Sequence, residues 1–126
     1  MAETGLKPTN AYFAGYLDAD GCVRFSRGTP RVEIKSVFPW ILTEFSLNWG
    51  GAVRLCSQPP DRNLWRWGVC GDSAEKCLID LVSDLYVKQE QAHIVLQARR
   101  VRPGPYRDGL VEQLKALKHR NFRYND

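Results

Sequence analysis

Near its N-terminus the chain has the sequence AGYLDADG over residues 14–21. The pair Thr9-Asn10 precedes this stretch and offers a helix N-cap, so we predict a short helix over residues 11–18. Gly21 is expected to end the helix with a tight or left-handed turn. A glycine within a helix costs about 1 kcal/mol relative to alanine, so Gly15 needs a reason. Close approach of a second helix is such a reason, because only small residues let two backbones come near each other.

A strip of small residues follows one face of this predicted helix. By helical spacing the strip contains Ala11, Ala14, Gly15 and Asp18. The chain has no second copy of the strip, so its partner would be the same strip on another protomer, across a two-fold axis. The sequence therefore predicts a homodimer that forms through the first helix.

Two carboxylates, those of Asp18 and Asp20, lie at the end of the predicted helix. A helix C-terminus carries partial negative charge, which disfavours each carboxylate by about 0.3–1 kcal/mol unless a cation is bound there. Carboxylates together with exposed carbonyl groups suit a hard metal ion such as Mg²⁺. Local hydrogen bonds in a turn are the alternative, and for Asp18 the two explanations are balanced. For Asp20 metal binding is the favoured explanation.

Farther along the chain, alternating and helical patterns follow each other in a regular order. We predict strands over 22–26, 31–35, 53–58 and 64–70, with a turn at 27–30, and helices over 39–48, 72–86, 88–101 and 108–119. The apolar stripe of the second helix comprises Ile41, Leu42, Phe45 and Leu47. Antiparallel strands with helices on one face make an α+β sheet domain. We expect one domain over 1–126, with a core at about 9–101 and a C-terminal helix and basic tail at about 106–126.

Long polar side chains are brought together by alternation on the sheet face away from the helices. They are Arg24, Ser26, Arg31, Glu33, Lys35, Arg54, Gln58 and Arg66. A solvated face is the ordinary interpretation for an antiparallel sheet. A curved ribbon of strands also fits the DNA major groove, where Arg hydrogen-bonds guanine and Gln adenine, and we favour this nucleic-acid platform. Phosphate contacts are assigned to Arg27, Arg62 and a basic cluster of Lys115, Lys118, His119, Arg120 and Arg123, although such basic tails are often only solvated.

Composition permits a polyanionic partner without requiring one. Eighteen Lys and Arg residues against fourteen Asp and Glu residues give a net charge of +4. No apolar run is long enough to span a bilayer and no signal peptide follows Met1, so we expect no membrane partner and a reducing cytoplasmic or organellar location. The four cysteines, Cys22, Cys56, Cys70 and Cys77, lack the spacing of a metal knuckle and are expected to be reduced, buried thiols.

The stretch at residues 14–21 resembles the LAGLIDADG signature, with Phe13 in place of the first Leu, Tyr16 in place of Leu and Leu17 in place of Ile. The predicted element order, αββαββα(α), is similar to that of the homodimeric, single-motif members of this homing endonuclease family. Residues 85–92, LYVKQEQA, also resemble the family's helix start that bears a basic active-site residue. The similarity covers most of residues 9–100.

The resemblance implies a homodimeric, site-specific endonuclease that hydrolyses both strands of a long, pseudo-palindromic double-stranded DNA site, with no small-molecule substrate. Mg²⁺ is the implied cofactor, with Mn²⁺ as a substitute and Ca²⁺ binding without turnover. Asp20 and the Ala19 carbonyl correspond to the metal ligands. Gly15 corresponds to the helix-contact glycine, and Asp18 to a structural residue that ties the helix end.

Two further positions follow from the same resemblance. Lys88 corresponds to a peripheral base that positions solvent or stabilises charge on the phosphate, with a solvated lysine as the alternative. Ser36 stands where members often carry a glutamine that orders water. Because serine reaches less far, this departure puts the rate of cleavage in doubt.

Two other functions remain open from the sequence. One is a catalytically silent DNA- or RNA-binding protein of the same fold, such as a regulator or an intron maturase, against which the intact Asp20 and Lys88 argue. The other is a small α+β interaction module, which would leave the small-residue strip and the two aspartates unexplained. The sequence identifies neither the target DNA nor the host genetic element, whether intron, intein or free-standing gene.

Overall fold

A computed structural model describes residues 7–57 and 63–123, with the side chains of Ser57 and of residues 120–123 left out. The elements in chain order are α1 (Asn10–Asp20), β1 (Gly21–Ser26), β2 (Thr29–Ser36), α2 (Pro39–Trp49), β3 (Val53–Ser57), β4 (Leu64–Cys70), α3 (Asp72–Leu81), a 3₁₀ turn (Val82–Asp84), α4 (Gln89–Arg100) and α5 (Pro105–Arg123). The four strands form one antiparallel sheet in the order β1-β2-β4-β3. The predicted α+β architecture is confirmed.

The first helix begins as predicted, because the Thr9 hydroxyl accepts a hydrogen bond from the Tyr12 N–H at 3.1 Å. Gly21 ends α1 as predicted, but the expected tight or left-handed turn is wrong, since its backbone is extended, with φ −95° and ψ 177°, and opens β1. Glycine is needed at position 21 because a larger residue would not fit there. A Cβ atom there would lie 2.9 Å from the Leu17 carbonyl oxygen and would also strike the Leu17 side chain.

The first hairpin turns within two residues, Arg27 and Gly28, which have φ values of 54° and 76°. Two successive left-handed residues match the right-handed twist of the flanking strands. The prediction that the turn extends over Thr29 and Pro30 is therefore wrong. Both residues lie in β2, where they pair with Ser26 and Phe25.

An aromatic cluster occupies the core between the sheet and α2. The rings of Phe13 and Phe45 meet edge to face with centroids 4.7 Å apart, and Phe45 lies 4.9 Å from the fully buried Trp67. Helix α2 buries Ile41, Leu42, Phe45 and Trp49. The prediction that Leu47 belongs to this stripe is wrong, because helical spacing turns it outward and it is 75% exposed.

Two helix boundaries differ from the prediction. Helix α3 ends at Leu81 and not at Tyr86, and the chain then passes through a 3₁₀ turn before α4. Helix α5 begins at Pro105, whose fixed φ and missing N–H suit the first turn of a helix. No helix in the described ranges is long and apolar enough to cross a membrane.

The cysteines are free thiols, as predicted, but their expected burial holds for Cys77 alone. Cys22 is partly buried, whereas Cys56 and Cys70 are exposed. The exposure of Cys70 follows from strand alternation, because its side chain lies on the same face of the sheet as that of its pairing partner Arg31.

Candidate nucleic-acid interface and catalytic centre

One face of the sheet carries the charged side chains that alternation placed there. The strand register arranges these side chains in four rows across the sheet. The first row is Arg54, Arg66 and Lys35, and the second is Gly68, Glu33 and Cys22. The third is Cys70, Arg31 and Arg24, and the last is Ser26 beside Thr29. We call this set of residues the open face, because the core packs on the opposite side of the sheet. Two predicted members of the interface, Gln58 and Arg62, lie outside the described residues.

A single carboxylate organises the centre of the open face. Glu33 accepts a hydrogen bond from Arg24 at 2.7 Å and a second one from Arg66 Nε. Burial raises the pKa of the Glu33 carboxyl, but the hydrogen bonds and charges of Arg66 and then Arg24 outweigh burial and hold that pKa below its ordinary value. Glu33 is therefore ionised and holds two guanidinium groups in fixed positions.

The other cations of the open face lack such a partner. Arg31 donates to the Ser26 hydroxyl at 3.0 Å, and within the described ranges Arg31, Lys35 and Arg54 form no ion pair. A groove of about 440 Å³ opens on this face. Its lining residues are Arg24, Ser26, Arg27, Arg31, Val32, Glu33, Arg66, Gly68, Val69 and Cys70. The groove is thus cationic, and Gly68 and Cys70 keep part of it free of long side chains.

At the end of α1, Asp18 ties together two distant parts of the chain. Its carboxylate accepts the backbone N–H groups of Tyr86 at 2.7 Å and of Lys88 at 2.9 Å. In return, the Lys88 ammonium donates to the Asp18 backbone carbonyl at 2.6 Å. Asp18 is therefore committed to backbone hydrogen bonds, and these bonds place Lys88 beside the C-terminus of α1.

Asp20 is the last residue of α1 and is exposed. Its carboxylate has no hydrogen-bond donor or ion-pair partner among the residues that the structure describes. Burial lowers the pKa of the nearby Lys88 ammonium, and electrostatic attraction, chiefly to the Asp18 carboxylate, offsets this lowering only in part. In the described part of the chain no three His, Cys, Asp or Glu side chains are grouped so that they could hold a metal ion. One protomer thus offers one uncommitted carboxylate at this position.

Comparison with solved structures shows what this architecture is similar to. The homing endonuclease I-CvuI in complex with its target Sro1.3, in the presence of calcium, matches with a TM-score of 0.69 and 25% identity over 86% of this chain and 80% of that chain. I-CvuI with the I-CreI target, in the presence of magnesium and with the DNA not cleaved, matches with a TM-score of 0.65, 23% identity and the same coverage. The homing endonuclease I-TnaI matches with a TM-score of 0.54 and 12% identity over 92% of this chain and 99% of that chain.

The chain has the LAGLIDADG homing endonuclease fold. No protein-family model matches it, and neither does any curated protein. The likeness is therefore carried by the order and packing of the elements together with the residues of the α1 motif.

On this homing endonuclease fold, Ser36 lies at the end of β2, where the sequence comparison placed it, but its side chain is on the core side of the sheet. Its side chain is only 6% exposed, its hydroxyl is 2.6 Å from the Tyr16 hydroxyl, and it accepts the Phe38 N–H at 3.0 Å. The water-ordering role of Ser36 stays a prediction, and its burial has a physical reason. Alternation along β2 puts Val32, Ile34 and Ser36 on the core side, and this parity was already visible in the sequence.

The small-residue strip of α1 also differs from the prediction. Ala14 is fully buried in its own protomer, so its side chain is not available to a second helix. The exposed small residues are Ala11, Gly15 and Ala19, at four-residue spacing on one face. A Cβ atom at Gly15 would meet nothing within 4 Å, so nothing inside the described protomer requires glycine there.

Proposed function

We propose that the chain is a site-specific endodeoxyribonuclease that cuts both strands of double-stranded DNA as a homodimer, with a divalent metal ion. The observation that carries this proposal is the Asp20 carboxylate at the end of α1, which has no partner among the described residues. Lys88 is held at the same end of α1, and the cationic open face begins in β1, which follows directly. The DNA complexes of the similarly folded I-CvuI support DNA as the partner.

DNA binding is assigned to the open face. Arg24 and Arg66 are held in place by Glu33, whereas Arg31, Lys35 and Arg54 carry charge that is not neutralised within the described residues. Fixed guanidinium groups suit base edges in the major groove, and the remaining cations suit phosphates. Arg27, at the tip of the first hairpin, extends the cationic groove at one end.

A divalent ion such as Mg²⁺ fits the Asp20 position. Mg²⁺ is commonly bound through one or two carboxylates together with substrate phosphates, and Asp20 of each protomer, with the Ala19 carbonyl, would supply the protein ligands. The carboxylate is exposed, has no partner among the described residues and lies at the negative end of a helix dipole, which favours a cation there. When bound, such an ion supplies Lewis acidity that activates water and stabilises the leaving oxygen.

Lys88 is assigned to neutralise charge on the reacting phosphate. Its ammonium is partly buried and held by the Asp18 carbonyl, so it loses little freedom on binding an anion. Asp18 acts through Lys88 as a positioning residue, because its two backbone contacts fix the segment that carries the lysine.

Homodimerisation is assigned to the exposed face of α1. Gly15 costs helix stability without relieving any contact inside the protomer, which is explained by a second backbone that approaches from outside. Ala11 and Ala19 keep the approach open on either side. A two-fold axis at this helix would bring the two Asp20 carboxylates to the same region and implies a pseudo-palindromic site.

The experiment that tests this function is cleavage of a plasmid library carrying randomised sites, with Mg²⁺ or Mn²⁺, by the wild type and by Asp20→Asn. The expected result is linear product from the wild type alone. Loss of an outer-shell partner of a metal typically costs about 10–100-fold in activity, so loss of the ligand itself should lower cleavage by about 100-fold or more. Ca²⁺ is expected to support binding without product. Asp108→Asn, which neutralises an exposed aspartate on α5, is the matched control and should cut like the wild type.

A catalytically silent DNA- or RNA-binding protein of the same fold is the second candidate, and one observation favours it. The inward orientation of Ser36 removes the one water-ordering side chain that the sequence offered. Dimeric DNA binding with no cleavage of any library member by either form would establish this second function and refute the first.

A further inference from the structure

Helix α5 is anchored so that it passes beside β1 toward the end of α1. At its start, Arg107 donates to the Gly28 carbonyl at 2.8 Å and its guanidinium lies 4.8 Å from the centre of the Phe25 ring. Farther along the helix, the Lys118 ammonium lies 3.7 Å from the Cys22 sulfur. Because Cys22 lies in β1 shortly after Asp20, α5 delivers a lysine to the border between the open face and the Asp20 region.

The Lys118 ammonium has unusual surroundings for a lysine. It is partly buried, and in the described part of the chain it forms no ion pair with a carboxylate. Burial lowers the pKa of this ammonium, the Cys22 thiol opposes that lowering, and the positive charges of Arg24 and Lys88 lower the pKa further. A lysine that loses part of its hydration without gaining an anion is electrostatically unfavourable, and the described residues supply no carboxylate to it.

We propose that Lys118 is a phosphate-binding residue of the catalytic centre, where its ammonium contacts a backbone phosphate of duplex DNA beside the one that Lys88 reaches. The proposal rests on the proposed function and adds α5 to the site. Lys118 contacts Cys22 and Lys88 contacts the Asp18 carbonyl, so two ammonium groups are held by residues on either side of Asp20, and both would attract the phosphates of an incoming polyanion.

A purely structural role makes the opposite prediction for stability. If Lys118 served to hold α5 against β1 through Cys22, its loss would lower the melting temperature. A thiol is a weak hydrogen-bond partner, and the positive charges of Arg24 and Lys88 act against the charge of Lys118. Removing the Lys118 charge is therefore expected to weaken DNA binding while the melting temperature stays unchanged or rises. Such a trade-off is common where a functional site is built at the expense of stability.

The test compares Lys118→Met and Lys118→Arg with Lys76→Met, which removes the same charge from the exposed surface of α3. A fluorescently labelled duplex DNA of mixed sequence, with Ca²⁺ present, is titrated at a series of salt concentrations. The slope of log K against log salt should fall by about 1 per protomer in Lys118→Met, and the other two variants should keep the wild-type slope.

Each outcome decides between the alternatives. A Lys118→Met protein that is destabilised or unfolded while Lys76→Met is not, or one whose slope equals that of Lys76→Met, would overturn the role of Lys118 and leave the endonuclease proposal intact. A wild type that binds no duplex DNA at any salt concentration would instead refute the proposed function itself, and the Lys118 proposal with it.

Discussion

Gly15 lies within α1 and Gly21 directly follows it, and glycine is needed at the two positions for different physical reasons. Gly21 is required by its own protomer, because any side chain there would collide with Leu17. Gly15 has empty space among the described residues where its side chain would be, so nothing in the described part of the protomer explains it. From the sequence, Gly15 could be recognised as a glycine within a helix, which lowers helix stability and therefore requires an explanation. It could not predict the reason for Gly21, which depends on how closely β1 follows the last turn of α1.

These glycines give a matched pair of substitutions. Gly21→Ala should lower the free energy of unfolding by about 1–3 kcal/mol, because it overpacks a filled position. Gly15→Ala should raise the helical stability of the isolated protomer by about 1 kcal/mol while weakening self-association. Chemical denaturation and sedimentation of both variants check this. A Gly15→Ala protein that associates like the wild type would contradict the dimer interface on α1.

At the scale of secondary-structure elements, the sequence predicted the existence and order of helices and strands better than their ends. The apolar pattern through Leu81, Val82 and Leu85 favoured one long helix to residue 86. The structure ends α3 at Leu81, and the Asp18 carboxylate then takes the N–H groups of Tyr86 and Lys88. A contact between residues so far apart in sequence has no local signal, which is why the boundary was missed.

Because the Asp18 carboxylate accepts hydrogen bonds from two backbone N–H groups, Asp18→Ala is expected to have a local effect. Leaving both donors without their partner should cost about 1–3 kcal/mol and loosen the segment from residue 85 to residue 88. Amide hydrogen exchange should accelerate at Tyr86 and Lys88, with little change at Trp67 in the core. Unchanged exchange at both amides would show that Asp18 does not hold Lys88 in place.

At the scale of the whole molecule, alternation in four strands was enough to predict which charged residues share a face, because each strand has a clear core side. The strand order β1-β2-β4-β3 was not predictable from alternation, and it decides that Glu33 lies between Arg24 and Arg66. Ser36 shows what motif comparison leaves out: the comparison placed it at the end of the second strand, but only the alternation along β2 shows that its side chain lies on the core side.

The central carboxylate of the open face gives stability a specific dependence on pH. Because the folded-state pKa of Glu33 is lowered, its contribution is present above the ordinary glutamate pKa and is lost as pH falls through the folded value. Its arginine partners are nearly half exposed, so the contribution is at most about 1 kcal/mol. Glu33→Gln should be less stable than the wild type at neutral pH and converge with it in acid.

Thermal melting over a pH series measures this convergence. The same variant makes the open face more positive, so it should also bind DNA of mixed sequence more tightly at low salt. A constant stability difference between the two proteins across the acid range would contradict the role assigned to Glu33.

The hydrogen bonds between Asp18 and Lys88 join residues 70 positions apart. Closing so long a loop is slow and becomes favourable only after most of the intervening chain has formed its contacts. We therefore expect the lysine and the end of α1 to come together late in folding, after the local contacts of both hairpins and α3. A nascent or partly folded chain holds no assembled centre, so on the proposed function a cell would be exposed to DNA cleavage only by the completed protein.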